Sequence, residues 1–311
     1  MQTRVAVALG VANQRSLAWK SALAMLDGGD FDHVIITYQN ERFQQSVDTM
    51  VEKQNAMYIN KYNEDLSSGM NRHRFPLAKS ISSVALDVTN EDQIQQTFHE
   101  RIPSLIHSQL SRSNFSDQKI QIDALIHSVA FAPASSMKSN SNLPLLHTEK
   151  EAFDVSHSTS AYSLITLAKH ALPLLSCENE SIDNEKPRGN RSSSIIAMTY
   201  LGSTRSVPNY NIMGPAKASL ESVVRGLAME LSPPPHKIRV NAVSAGPIST
   251  LAARGIKDFG VMKKEVDDKS MIQRGVMAEE VGDVVAFIAS PKASAVTGQV
   301  WFVDGGYSAL G

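Results

Sequence analysis

Short apolar runs alternate with amphipathic stretches along the whole chain. Val5–Leu9, Val34–Tyr38, Val84–Leu86, Ile122–Ile126, Ser194–Met198, Ile238–Val243 and Val300–Val303 are brief, mostly aliphatic and bounded by polar or glycine turns. Such runs predict strands buried on both faces. Between them lie stretches with apolar residues three and four apart. These are Leu17–Leu26, a segment reaching about Asn55, the segment carrying Ile94, Phe98, Ile102, Leu105 and Ile106, Glu149–Leu175, the segment carrying Leu220, Val223, Val224 and Leu227, and Val281–Ala289. That spacing predicts helices. Thr89 or Asn90 can cap one of them, with Glu91 and Asp92 in its first turn. Strands alternating with helices predict an α/β fold: a doubly wound parallel sheet flanked by helices.

Polar segments interrupt this rhythm at 60–79, 108–118 and 176–193. Each falls between a helix and the next strand, at the amino edge of such a sheet. The glycine, tyrosine, aspartate and proline motifs fall just after strands, at the carboxyl edge, where open α/β sheets bind ligands. No repeat and no linker divides the chain. Residues 1–311 therefore read as one Rossmann-like dinucleotide-binding domain with polar loop insertions near 60–79 and 176–193.

Composition narrows the function. Thirty basic and 31 acidic residues give a net charge of −1, so no basic surface points to nucleic acid or anionic lipid. Cys177 is the only cysteine, which excludes an internal disulfide and favours a reducing compartment. No run of 18 apolar residues predicts a membrane span. Met1-Gln2-Thr3-Arg4 leads directly into a strand, so a cytoplasmic protein is expected, or a plastid or mitochondrial one if a presequence precedes it.

Two turns carry candidate cofactor chemistry. Gly10-Val-Ala-Asn-Gln-Arg-Ser16 joins the first strand to the first helix, the arrangement in which helix amides hold a pyrophosphate. A second glycine of the dinucleotide fingerprint would stand near Ala12 and is missing; an ordinary strand-to-helix turn is the plain alternative. Gln39-Asn40 ends the second strand, where an acid often holds the adenosine ribose. Neutral amides there bond a hydroxyl without repelling a 2′-phosphate, and Arg42 is near. Tyr200 to Lys217 carries the reactive candidates. Tyr210 and Lys217 are seven residues apart. On a helix that is within about 20° of one face and roughly 10.5 Å along the axis. A phenol can donate to an oxygen gaining charge while an ammonium grips a ribose. The competing reading is a surface tyrosine and a solvated lysine.

The stretches Gly10–Ala18, Thr37–Asn40, His127–Pro133, Pro208–Met213 and Ser244–Phe259 resemble the type I enoyl-acyl-carrier-protein reductases, a branch of the short-chain dehydrogenase/reductases. The resemblance covers nearly the whole chain outside the insertions. The spacing Tyr-x6-Lys separates this branch from ordinary members, whose tyrosine stands four residues before the lysine, here Met213. The resemblance implies reduction of trans-2-enoyl thioesters of acyl carrier protein, the last step of each cycle of fatty acid biosynthesis. It implies Tyr210 and Lys217 as catalytic residues, with Tyr200 at the substrate mouth. It implies cofactor contacts from Gly10, Ser16, Leu17, Gln39, Asp87, Val88, Val129, Lys217, Ile248 and Thr250, and an apolar acyl slot formed by Phe131, Tyr200, Met213, Ala252, Ile256, Phe259 and Met262. A plain amphipathic helix packed on the core is the alternative for that slot. Gln39-Asn40 resembles members using NADH, with NADPH the lesser choice. The resemblance further implies a homotetramer with helices near 150–175 and 210–230 between subunits. The carrier protein is expected to dock near Lys257, Lys263 and Lys264. Asp304-Gly-Gly306 is expected to be a simple turn.

Two residues depart from the pattern. Ala130 replaces a glycine after the fourth strand, where a methyl facing the cofactor would cost about 1–3 kcal/mol without relaxation. Pro215 lies between Tyr210 and Lys217 and is harmless only in a first helical turn. Two other readings follow: a 3-oxoacyl thioester reductase, disfavoured by Met213, and a catalytically weakened dinucleotide-binding or interaction protein.

Overall fold

The computed structural model describes residues 3–68, 78–110, 120–137, 143–175 and 192–310. Its seven strands are β1 (Val5–Leu9), β2 (His33–Tyr38), β3 (Ser80–Ala85), β4 (Ala124–His127), β5 (Ser194–Thr199), β6 (Arg239–Ala245) and β7 (Val300–Val303). They form one sheet in the order β3-β2-β1-β4-β5-β6-β7, with every neighbouring pair parallel. The helices are α1 (Leu17–Asp27), α2 (Glu41–Ser67), α3 (Glu91–Gln96), α4 (Ile102–Leu110), α5 (Ala134–Met137), α6 (Lys150–His157), α7 (Ser163–Leu175), α8 (Met213–Leu231), α9 (Phe259–Lys269) and α10 (Ala278–Ala289).

Side-chain alternation along the strands builds two cores. Val5, Val7 and Leu9 of β1 pack with Ile94, Phe98, Ile102 and Ile106 and with the inner faces of α7 and α8. Ala6 and Ala8, on the opposite face, pack with α1, α2 and α10. A fully buried Leu, Ile or Phe contributes roughly 1.5–3 kcal/mol, so both layers hold the sheet rigid under the loops at its carboxyl edge. The chain leaves β3 at one edge and re-enters beside β1 as β4. Its winding direction therefore reverses between β1 and β4, and this opens a crevice at their carboxyl ends.

Several boundaries differ from the sequence expectation. α2 does not end near Asn55 but continues to Ser67, so 60–67 is helix and not loop. This far half is largely exposed, which is why apolar periodicity did not mark it. Residues 108–110 close α4 instead of opening a loop, and residues 69–77, 111–118 and 176–191 of the expected insertions lie outside the described residues. β3 begins at Ser80; it is an edge strand with a polar, half-buried face that carries no apolar run. The expected helix 149–175 is α6 and α7 joined by a π-helical segment at Ser158–Tyr162. Asn90 caps α3, accepting from the N–H of Gln93 at 3.0 Å. Asp304-Gly-Gly306 is a turn, with Asp304 accepting from the N–H groups of Gly306 and Ser308.

α1 carries the cofactor-side turn, and its seat depends on α10. At Gly282 an added Cβ would lie 2.8 Å from the Lys20 carbonyl oxygen, so only glycine lets the two helices approach this closely. Gly282→Ala is expected to cost about 1–3 kcal/mol and lower the melting temperature by several degrees. Thermal unfolding followed by circular dichroism checks this; an unchanged midpoint refutes it.

Candidate active site

The crevice at the β1/β4 reversal is a cavity of about 710 Å³. Every site residue expected from the sequence borders it. Gly10, Ser16, Leu17, Gln39, Asp87, Val88 and Val129 line it along the ends of β1, β2, β3 and β4. Tyr200, Tyr210, Met213 and Lys217 line it beyond β5, with Phe131 at its mouth. Ile248, Thr250, Ala252, Ile256, Phe259 and Met262 close it from the segment after β6.

The dinucleotide-side turn works with a single glycine. Gly10 has φ +92°, and a Cβ there would sit 2.4 Å from the Ser128 carbonyl oxygen. Glycine is thus required for β1 and β4 to close together. Ser16 takes over the shaping of the turn where a second glycine is missing. Its Oγ accepts from the N–H groups of Ala12 and Asn13 at 3.0 and 3.1 Å. Asp87 Oδ1 accepts from Thr89. At the end of β2, Asn40 is the α2 cap, accepting from the N–H of Arg42 at 3.1 Å. Gln39 is the exposed neutral amide left at the rim. Ala130 is also exposed at the mouth, so its methyl is not forced into packed surroundings.

Tyr210 and Lys217 do not share a helix face. α8 begins at Met213, and Tyr210 sits in the turn before it. Asn209 (φ 61°) and Asn211 (φ 39°) flank it in the left-handed region, which asparagine tolerates and which ends any helical continuation backward. Each asparagine also ties the turn to a neighbour: Asn209 Nδ2 donates to the Lys257 carbonyl at 3.1 Å, and Asn211 Nδ2 to that of Ser136 at 2.9 Å. The Tyr210 ring lies against Gly202, where a Cβ would be 2.4 Å from Cδ1. It meets the Tyr200 ring edge-on at 4.7 Å. Pro215 falls in the first turn of α8, where its missing N–H breaks no helical bond.

The electrostatics separate the two groups. Burial drives the Tyr210 phenol well above its ordinary pKa, with Tyr200 adding to the effect, so it is a neutral donor throughout the working pH range. Its hydroxyl has no hydrogen-bond partner among the described residues. Burial pulls the Lys217 ammonium down to about 8, against the carboxylate of Glu221. Lys217 Nζ donates to the Met198 carbonyl at 2.7 Å, one of its three donors. His127 is fully buried beside it and held neutral, pulled down to about 3 by burial and by Lys217; its Nε2 is 2.8 Å from Ser163 Oγ. Burial also raises Tyr200, to about 12.

The acyl-slot expectation divides into a floor and a cover. Met137, Tyr210, Ile212 and Met213 form a small buried cluster with Tyr200 and Ile256 against it. Phe259 and Met262 begin α9, whose one buried residue is Val266. α9 therefore lies over the cavity instead of packing fully into the core, unlike the plain amphipathic helix considered as an alternative. Lys263 and Lys264 of α9 pair with Asp267 and Asp268, each at 2.5 Å, so two of the three lysines expected to meet a carrier protein are partly neutralised by their own helix.

Sequence reasoning missed several participants. Gly202, Asn209 and Asn211 stood in the stretch already singled out, but their role depends on close approach and φ. Ser160, in the π segment, accepts from the Phe131 N–H at 3.0 Å and donates to its carbonyl at 3.2 Å; nothing in local spacing announced it. Thr159 also borders the cavity.

The residues present fit a nicotinamide dinucleotide: a glycine turn opening α1, a buried phenol without a partner, and an ammonium with unused donors border one elongated cavity. Comparison with known proteins agrees. The chain is similar to the enoyl-[acyl-carrier-protein] reductase (NADH) of Enterococcus faecalis, 34% identical over 306 residues, 98% of this chain and 98% of that protein. It is also similar to the enzyme of the same name from Neisseria meningitidis serogroup B, 40% identical over 222 residues, 71% of this chain and 73% of that protein. The solved Bacillus cereus enoyl-acyl carrier protein reductase, with NADP+ and indole naphthyridinone, superposes with a TM-score of 0.76 at 31% identity, covering 100% of this chain and 98% of that one. A family model described as enoyl-(acyl carrier protein) reductase matches residues 56–308, and the chain belongs to that family.

Proposed function

We propose that this enzyme reduces trans-2-enoyl thioesters of acyl carrier protein to acyl thioesters, with NADH as the preferred reductant. The observation that carries the reading is the buried, unpartnered phenol of Tyr210 on the same cavity as the Lys217 ammonium. A bound nicotinamide would supply the hydride for the β carbon of the enoyl group, and a proton taken up at the α carbon completes the acyl thioester. Tyr210 donates to the thioester oxygen as that oxygen gains enolate charge, and low surrounding polarity strengthens the bond. Lys217 donates to a ribose hydroxyl and places a positive charge near the developing negative one. Phe131, Tyr200, Met213, Ala252, Ile256, Phe259 and Met262 exclude water and hold the acyl chain. Gly10, Ser16, Leu17, Gln39, Asp87, Val88, Val129, Ile248 and Thr250 hold the dinucleotide.

A nicotinamide dinucleotide, NADH or NADPH, is common to the family. The preference for NADH rests on the neutral Gln39 at the ribose end and on Asn40 being occupied as a helix cap. The 3-oxoacyl reading has no support from position 213, where a buried methionine offers no hydroxyl. Pro215 in a first turn and Ala130 at an open rim remove the grounds for a weakened, purely binding protein.

The test is oxidation of NADH by a trans-2-enoyl thioester, with NADPH and a 3-oxoacyl thioester in parallel. Turnover with the enoyl substrate, at least tenfold faster with NADH, is expected; turnover with the 3-oxoacyl substrate alone overturns the reading. Tyr210→Phe is expected to lower kcat by about 10²–10³-fold with NADH affinity within a few-fold of wild type. Stopped-flow hydride transfer and fluorescence titration check the two parts, and full activity would remove Tyr210 from the chemistry.

We further propose a homotetramer. Phe153, Tyr162 and Ile165 on α6, the π segment and α7, and Met229 on α8 leave apolar surface exposed, on the helices expected between subunits. Sedimentation velocity is expected to give a particle of about four times 33.9 kDa; a monomer at micromolar concentration contradicts it.

A further inference from the structure

α8 grips the end of β5 at two adjacent residues. Lys217 Nζ donates to the Met198 carbonyl at 2.7 Å. One turn further, Glu221 Oε1 accepts from the Thr199 hydroxyl at 2.7 Å. Lys217 and Glu221 are both 5% exposed, and a helix places i and i+4 on one face. A buried carboxylate needs a reason, because taking it out of water is costly unless it is paired. Among the described residues one hydroxyl, that of Thr199, donates to it, at the back of the cavity that Thr199 and Lys217 line.

We propose that Glu221 is a positioning residue for Lys217: its carboxylate, aimed by Thr199, keeps the Lys217 side chain an ammonium and directed along β5 toward the site. The other groups around Lys217 supply no negative charge. His127 at the end of β4 is neutral, β5 has no ionisable side chain, and the phenols of Tyr200 and Tyr210 stay protonated. On α6 and α7, Asp154 and Lys169 are exposed and paired with Lys150 and Glu91 respectively. Glu221 thus opposes the desolvation that pulls Lys217 to about 8. Since an amine loses its charge above its pKa, the ammonium is present below about pH 8 and lost above it. Removing Glu221 moves that loss to lower pH.

The inference rests on Lys217 acting as a dinucleotide ligand only for its consequence, so the test reads Lys217 directly. Trace labelling with acetic anhydride across a pH series, quantified at Lys217 by peptide mass spectrometry, gives its titration in the enzyme without cofactor. Glu221→Gln is expected to lower the midpoint by about one unit, and Glu221→Asp, which draws the charge back by one methylene, to give a smaller shift. NADH affinity, measured in parallel, is expected to fall about fivefold at pH 8 in Glu221→Gln and to stay within twofold at pH 6. A wild-type midpoint in either variant overturns the proposal. A shifted midpoint with pH-independent NADH affinity upholds it and instead refutes the assignment of Lys217 as a cofactor ligand.

Discussion

The site depends on keeping one ammonium group charged out of water. Lys217 is fully enclosed where β5 ends, yet a cation there has to be offset by nearby acceptors. The sheet supplies the Met198 carbonyl, which accepts from Lys217 Nζ at 2.7 Å, and α8 supplies the charge of Glu221. Both belong to a closely packed layer of the protein, where Leu220, Val224 and Ala228 hold α8 against β5 and β6. Charge, strand end and helix start are therefore one mechanical unit. Tyr210 is attached to that unit through two residues of turn, Asn211 and Ile212.

That attachment explains why the segment 208–213 is so constrained. Two left-handed asparagines, a ring pressed on a glycine that tolerates no Cβ, and a helix opening at Met213 leave Tyr210 one position. The side-chain bonds of Asn209 and Asn211 run outward, to the segments carrying Ser136 and Lys257. These segments adjoin the parts of the cavity wall nearest solvent. The phenol is consequently set by the rigid interior on one side and by the substrate-facing cover on the other.

Much of this was legible in the chain. Apolar runs marked six of the seven strands to within a residue or two. The residues that border the cavity could be named because the motifs carrying them follow strand ends. What escaped was set by geometry that spacing does not encode. A seven-residue interval reads as a helix face, but two positive φ values turn it into a helix start with a tyrosine outside. The edge strand β3 has little apolar content to betray its first residues, and the exposed half of α2 has no buried face to keep time with the helix. Nothing in the spacing singles out Glu221; its burial and its Thr199 partner do.

The two substitutions that first argued against catalysis illustrate the same point. A proline costs about 3 kcal/mol inside a helix and nearly nothing in its first turn, and a three-residue difference in where α8 begins decides which applies. An alanine for glycine is harmful where backbone meets backbone, as at Gly10, and mild at an open rim, as at Ala130. A cofactor-side motif with one glycine is for the same reason not a weakened motif. Gly10 stands where the chain leaving β1 passes against the chain leaving β4 at Ser128, and the Ser16 hydroxyl gathers the amides of Ala12 and Asn13. The turn is thereby shaped before any dinucleotide arrives, which lowers the ordering cost of binding it.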